Sequence, residues 1–499
     1  MLKQILRGAG GDALKYFPVR FVPALTSLVT VPVFTHMVDK VDYGNFYLVN
    51  SVTGLAATLA TAWITSSVVR FYWAYERQGQ RDTYIATILW MTIGSIAAVS
   101  AIAAVVVYAL PGTFSAGVQR LMPVAFLGLG VNYLVQVLQQ IMRAANRASA
   151  YAMLAVASTL LATAFGVYFV ASAKMGAFGI LLGVVVGNSL LIPFGLRNAK
   201  SEGSLSPAHF SKNALYEFAR FGFPMVPSAI SSWMLVLSDR YIIGLTRTAG
   251  EVGVYSVAYG LGDKIMNLVV LPLLMTMGPV MIQTFEKQGQ DLAQQVQTQF
   301  TRYFMMATLP VLAGMAAVSQ NFMAVFTGEQ YRGAYAILPI ISAGVLCNGL
   351  VQIAGNGTAL HKRTTIIMTN TMVAAAAQVA ANLVLIPRYG YGAAAWTTLG
   401  SYVVLLSLTW IRSRPFMAWK IPWADIARVA AAAAGMGAVV ALAFNHLGAS
   451  FWILLAEALS GLIIYVVLLV VFRAVRPDER EFAVEVVGKV RSRITKKRS

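Results

Sequence analysis

Residues 254–282 read VYSVAYGLGDKIMNLVVLPLLMTMGPVMI, an apolar run broken only by the adjacent pair Asp263 and Lys264. About 20 apolar residues suffice for a helix to cross the hydrocarbon core of a bilayer. A soluble core helix has no need of such length, so this stretch reads as a membrane span carrying two ionisable groups near its middle. Working outward in both directions, thirteen more runs of similar character appear, giving about fourteen spans. They lie at 16–37, 46–69, 84–110, 118–141, 150–171, 176–196, 221–243, 254–282, 303–320, 335–357, 365–386, 392–411, 426–445 and 451–472. The expected fold class is therefore an all-α membrane protein.

The composition agrees. Of 499 residues, 58% are hydrophobic and 11% charged, where a soluble chain carries about 25% charged residues. Mean hydropathy is +0.68. The formal net charge of +19 invites a nucleic-acid reading. The cations are dispersed through short loops between spans, which excludes it and points to loop topology and to attraction by anionic membrane lipids. The single cysteine, Cys347, sits in an apolar run. It forms no internal disulfide and no cysteine-based metal site.

The basic residues also set an orientation. Of 38 Lys and Arg residues, about 29 fall at the two termini and in every second loop, and about six in the other loops. Both termini are then expected in the cytoplasm of an inner (plasma) membrane, which an even number of spans requires. Lys3, Arg7 and Lys15 precede a first run too long for a signal-peptide core, so it reads as an uncleaved span. The other loops are short and leave no room for a catalytic domain. The tail 473–499 is basic, with Val484, Val487, Val490 and Ile494 at helical spacing. It reads either as an amphipathic helix on the inner leaflet or as a solvated tail.

The chain repeats itself. Phe17-Pro18 opens the first span and Phe223-Pro224 the seventh. Asp42-Tyr43-Gly44-Asn45-Phe46 is echoed by Glu251-Val252-Gly253-Val254-Tyr255, and Lys174-Met175-Gly176 by Arg388-Tyr389-Gly390. The offset is nearly constant. Two halves of six spans each insert the same way up, a parallel repeat. The expected units are 1–200 and 212–412, each a six-helix bundle, then 425–472 as two further transmembrane helices, and the tail 473–499. Duplicated halves can rock about a central cavity. Pro18, Pro23, Pro32, Pro224, Pro227, Pro272 and Pro279 fit bent helices lining one, although proline is common in membrane spans generally.

An ionisable group inside a span is costly and is a functional candidate by default. Asp263 and Lys264 lie about ten residues into their span, roughly 15 Å deep. Lys264 can meet an anionic cargo and Asp263 can bind H+ or Na+, or the two can neutralise each other. Arg20 sits between two prolines and either lines the cavity or reaches the headgroups. Asp239 and Arg240 close the seventh span as an ion pair, an interfacial anchor or a cargo contact. Arg70 ends the second span as an inner anchor or a cavity cation. Glu457 lies inside the last span with no partner legible. Arg120 reads as a boundary marker. Candidate cargo-binding residues are thus Arg20, Lys264, Arg240 and Arg70, and candidate ion-coupling residues Asp263, Asp239 and Glu457.

Enzyme motifs are missing. There is no P-loop, no loop that pairs carboxylates in the manner of a glycosyltransferase, and no metal-ligand spacing among the four histidines. No cofactor and no catalytic residue is expected; energy would come from an ion gradient, the membrane potential or the cargo gradient.

Asp239-Arg240-Tyr241-Ile242-Ile243 followed by Glu251-Val252-Gly253-Val254-Tyr255-Ser256-Val257-Ala258-Tyr259, with Tyr43-Gly44 and Arg70-Phe71-Tyr72 earlier, resembles the Wzx-like polysaccharide flippases. These form one branch of the superfamily that also holds multidrug and toxin extruders and lipid II flippases. The resemblance covers essentially the whole chain, including the last two spans. It implies a V-shaped pair of six-helix bundles around a cationic cavity. It also implies a cargo of undecaprenyl-pyrophosphate-linked glycan moved to the outer leaflet, with polysaccharide polymerase or export machinery as partners. Arg20, Lys264 and Arg240 would grip the pyrophosphate, and the last two spans would hold the polyprenyl tail. Two other readings stay open. An ion-coupled multidrug extruder would favour an acid in the first span, where Arg20 stands instead. A membrane polymerase or ligase would need large outer loops.

Overall fold

The structure is a computed structural model that describes residues 13–109, 114–444 and 447–476. Its regular elements are all helical. In chain order they are α1 (Ala13–Met37), α2 (Lys40–Arg77), α3 (Arg81–Ala109), α4 (Ala116–Ala144), α5 (Ala148–Ala171), α6 (Gly176–Ser189) and α7 (Ile192–Lys200). After a linker come α8 (Lys212–Gly222), α9 (Val226–Thr246), α10 (Ala249–Gln288), α11 (Gln290–Phe326), α12 (Leu338–Ala354), the short α13 (Asn356–Leu360), α14 (Thr364–Tyr389) and α15 (Tyr391–Ser413). The last two are α16 (Trp423–Phe444) and α17 (Phe451–Val471). Thirteen of the described helices or helix pairs are long and apolar enough to cross a membrane, and Phe21–Met37 of α1 adds a shorter apolar run. Thirteen of the about fourteen expected spans are therefore found among the described residues, and the first is present as the shorter apolar run. The tail helix expected at 484–494 lies outside the described residues.

Local chemistry sets the helix starts. Asp39 caps α2 by accepting from the Val41 amide at 2.8 Å, and Thr248 caps α10 through the Glu251 amide at 3.2 Å. These side chains satisfy amides that the first turn leaves without partners. Two spans differ from the sequence expectation. The run 176–196 is broken between α6 and α7, where Pro193 occupies the first turn of α7. The seventh span opens with a 3-10 turn over Phe223–Met225 before α9 begins. Pro224 and Pro227 lack the amide that a continuous helix would use there.

Helices α2–α6 pack among themselves, with α1 laid on α5. Helices α9–α12, α14 and α15 pack among themselves, and α16 and α17 pair with each other against α11. The two groups meet where α2 crosses α9 and α10 and where α1 touches α10. In lipid, such contacts rest on close packing and hydrogen bonds rather than on hydrophobic burial. Side chains left exposed on α17, such as Leu462 (61%) and Ile463 (64%), suit hydrocarbon.

The charge-poor ends of both groups interlock. A Cβ on Gly44 of α2 would lie 1.7 Å from the Ala249 carbonyl oxygen of α10, and one on Gly253 would lie 2.4 Å from the Lys40 carbonyl oxygen. Only glycine lets the two backbones meet this closely. Beside them Tyr331 donates to the Val38 carbonyl at 3.1 Å, the Gly328 amide donates to Thr35 Oγ1 at 3.2 Å, and the Lys40 amide donates to Gln330 Oε1 at 3.2 Å. Tyr43 fills the seam, edge-on to Tyr331 with ring centroids 6.2 Å apart. At the basic-loop end the linker helix α8 is pinned to α2. Ser67 donates to the Phe218 carbonyl at 2.9 Å, Tyr75 donates to Glu217 at 2.7 Å, and Trp63 stacks on Phe223 at 4.9 Å.

Candidate functional site

Midway along α10 the helix faces α1 across a cavity of about 160 Å³. Phe21 and Pro23 form one wall; Asp263, Lys264, Asn267 and two leucines form the other. Asp263 is held by Asn267, one turn on, whose amide donates to Oδ1 at 2.9 Å. Asn267 was not singled out by sequence reasoning, although a polar residue four positions after an intramembrane acid was the available signal. The ammonium of Lys264 makes no ion pair among the described residues. Arg20 immediately precedes Phe21 on α1; its side chain lies outside the described residues. The described lining thus holds one anion and one cation, adjacent on α10 and coupled electrostatically, and the Lys264 ammonium is the member without a contact-distance partner among the described residues.

Asp239 and Arg240 occupy a different place. They lie well inside α9 rather than at its end, and both are buried, at 0% and 4% exposure. Arg240 folds back on its neighbour, with its guanidinium 3.1 Å from Asp239 Oδ1, and donates to the Val236 carbonyl at 2.6 Å. It also lies over the Tyr259 ring at 4.3 Å. Tyr255 donates to the second oxygen of Asp239. Asp239 therefore has its counter-cation built in, and Arg240 is committed to packing α9 on α10. A polar seam continues between α14 and α15. Gln378 donates to Thr398 at 3.2 Å and accepts from Ser401 at 3.1 Å, while Thr397 donates to Asn382. Sequence reasoning passed over these uncharged residues.

Arg70 joins neither group. It is exposed, and its guanidinium stands 5.9 Å from the Phe71 ring. The other members of that motif hold the linker: Phe71 packs on Phe218 at 5.1 Å, and Tyr72 donates to Glu202 at 2.5 Å. Arg120 is exposed near the start of α4, in keeping with a boundary residue.

A second cavity, of about 620 Å³, runs between α11 and the pair α16–α17. It is apolar, lined by residues such as Met306, Pro310, Phe322, Met436 and Leu454, with Glu457 among them. Glu457 does have a partner, Asn321 of α11, whose amide donates to Oε1 at 2.7 Å. The pair α16–α17 is tied to α11 by an ion-pair network around the buried Arg302 that the sequence did not reveal. Arg302 of α11 sits 3.2 Å from Asp425 at the head of α16 and donates to the Ala474 carbonyl beyond α17 at 2.6 Å. Arg476 contacts the same Asp425 oxygen at 2.7 Å. Among the described residues no cluster of His, Cys, Asp and Glu could hold a metal ion.

A stack of apolar helices long enough to cross a bilayer, around a small charged cavity and with an apolar groove on its flank, marks a multi-pass membrane protein whose fold recurs in solved structures. A solved lipid II flippase, MurJ in an inward closed conformation, superposes with a TM-score of 0.75 over 93% of this chain and 98% of that one, at 13% identity. A multidrug resistance MATE family transporter of the MOP superfamily, inward-facing, superposes with a TM-score of 0.61 over 80% of this chain and 98% of that one, at 12% identity. The likeness to both is one of fold. The family profile described as polysaccharide biosynthesis protein matches residues 13–285, more than half of the chain, and the chain belongs to that family. A curated relative from Haloferax volcanii, the probable low-salt glycan biosynthesis flippase Agl15, is 23% identical over 241 residues, 48% of this chain and 50% of its own length. The alignment with that relative thus spans about half of each protein.

Proposed function

We propose that this protein is a flippase. It carries a polyprenyl-pyrophosphate-linked oligosaccharide from the cytoplasmic to the outer leaflet of the inner membrane by alternating access, for export of a surface polysaccharide. The observation that carries this reading is Lys264, a cation without an ion-pair partner among the described residues, at the centre of a membrane span and lining a cavity between the two helix groups. A cation there is costly unless it meets an anion during the working cycle, and a diphosphate is such an anion. Arg20, on the facing helix, is the second proposed diphosphate contact. The apolar groove beside α16 and α17 is the proposed seat of the polyprenyl tail. The family match and the glycan flippase relative support the cargo class.

The two helix groups, 1–200 and 212–412, are proposed to rock as bundles, with both termini in the cytoplasm where the basic loops lie. Asp263 and Glu457 are the proposed coupling residues for H+ or Na+, since Asp239 already has Arg240. Polymerase and export proteins are proposed partners on the outer side. A multidrug extruder remains the second reading, because Asp263 shares the cavity and suits a cationic cargo.

The test is translocation of a lipid-linked oligosaccharide in proteoliposomes. Lys264→Ala is expected to lower the rate about 10- to 100-fold, the worth of a hydrogen bond to a charged group, while Lys264→Arg retains most of it. Equal rates for wild type and both Lys264→Ala and Arg20→Ala would remove the diphosphate from this cavity. Loss of transport for an organic cation instead would favour the extruder.

A further inference from the structure

The groove between α11 and the α16–α17 pair contains one feature that a passive hydrocarbon trough does not need. Its α11 wall extends from Met306 to Phe326, about 30 Å of helix and so about the depth of a bilayer core. Into this apolar surface projects Glu457, which is 3% exposed. Its Oε1 accepts from Asn321 at 2.7 Å; its Oε2 is buried and has no hydrogen-bond partner. The surroundings offer no counter-charge among the described residues. α11 contributes Asn321 and apolar side chains, α16 contributes Met436 and Val440, and α10 contributes Ile265, whose neighbours Asp263 and Lys264 line the other cavity. On α17 itself the other ionisable lining residue is Tyr465, whose hydroxyl donates to the Met306 carbonyl at 2.7 Å.

Resting on the reading that the cargo has a polyprenyl tail, we propose that this tail enters the groove only when Glu457 is protonated, so that tail binding and uptake of one proton are a single linked event. The argument is one of solvation. In this conformation Oε2 is out of contact with solvent, so an ionised carboxylate is tolerated only in a state of the groove that admits water beside it. A hydrocarbon chain displaces that water and supplies no donor, and an ionised carboxylate left against it loses its solvation with nothing in return. The neutral carboxyl keeps its acceptor bond from Asn321 and removes the charge. A proton needs no ligand set, whereas a metal cation would need several oxygens, and beside the Glu457 carboxylate the described surroundings supply one amide, Asn321, and one phenol already donating to the Met306 carbonyl, Tyr465. The tail, rather than the diphosphate alone, would then couple the cycle to the proton gradient.

The experiment uses the purified full chain and a radiolabelled polyprenol, which lacks phosphate and so does not engage Lys264. Binding to wild type is expected to weaken by up to about tenfold per unit rise in pH, the slope for one linked proton. A pH-indicator dye in weak buffer should report one proton taken up per polyprenol bound. Glu457→Gln, which keeps an acceptor for Asn321 and cannot ionise, should bind independently of pH without proton uptake. Ala458→Trp, which fills the groove, should abolish binding. Groove-dependent binding with no pH slope, or the same proton uptake in Glu457→Gln, overturns the proton link and leaves the flippase reading standing. Binding that follows sodium rather than pH also overturns it. Wild-type binding undisturbed by Ala458→Trp places the tail elsewhere, and removes both the groove assignment and the link built on it.

Discussion

Asp239 and Arg240 show how two adjacent charges survive inside a membrane. Neighbours on a helix point about 100° apart, yet the long arginine side chain bends back to the carboxylate at 3.1 Å and lies over Tyr259. The pair is neutral as a unit, so the membrane meets no net charge. Breaking it by one substitution leaves the other charge buried and alone, at a cost of about 3–5 kcal/mol. Asp239→Asn is therefore expected to lower the thermal stability of the purified protein markedly, and Asp239→Asn with Arg240→Gln to recover part of the loss. If the double variant loses the full sum of the two singles, the residues are not coupled. The sequence marked this pair, because charges in an apolar run stand out. It placed the pair near the end of the expected span 221–243, whereas α9 continues to Thr246. The partners Tyr255 and Tyr259 sit on the next helix, and no spacing rule connects them to Asp239.

Among elements, the internal repeat has a structural counterpart. Gly176 and Gly390, at matched positions, both take positive φ, +55° and +70°, which glycine adopts without strain. Each receives an acid from the matched helix start: Asp42 accepts from the Ala177 amide at 2.8 Å, and Glu251 lies 3.3 Å from where a Cβ on Gly390 would stand. The landmarks were legible because tight turns and close approaches restrict residue choice. That Gly44 and Gly253 press against each other's helices was not, since a repeat gives equivalence and not contact. The break between α6 and α7 also escaped, since Pro193 sits within an otherwise unbroken apolar run. The contact yields a test. At Gly44 even one methyl group would meet the Ala249 carbonyl at 1.7 Å, and backbone cannot turn aside as a side chain can. Gly44→Ala is expected to part α2 from α10 and to open the charge-poor end. With Cys347→Ser as background, a cysteine at Val38, now 2% exposed, should react several-fold faster with a membrane-impermeant maleimide when Gly44→Ala is added. An unchanged rate would mean that this crossing does not control access.

At the scale of the whole molecule, the spans were legible because bilayer thickness imposes a length on every crossing segment, and loop charge adds a sidedness. The central cavity was not legible as a shape, because Phe21 and Lys264 are brought together from positions nearly half the chain apart. Size now limits mechanism. The cavity of about 160 Å³ is well below the roughly 300–1,000 Å³ of ordinary ligand pockets, and a diphosphate bearing several sugars exceeds either. On the proposed function, cargo can pass only if α1 and α10 separate and the seam at the charge-poor end then opens. That seam includes the contact between the Lys40 amide and Gln330, two surface-accessible positions from opposite helix groups. In the Cys347→Ser background, Lys40→Cys with Gln330→Cys should be joined by a short bis-maleimide. Joining them is expected to stop translocation in proteoliposomes, while either single cysteine treated alike leaves it unchanged. A reducible linker should restore transport on cleavage. Transport that persists in the fully cross-linked protein would show that cargo leaves without parting this seam, and alternating access by opening at that end would have to be abandoned.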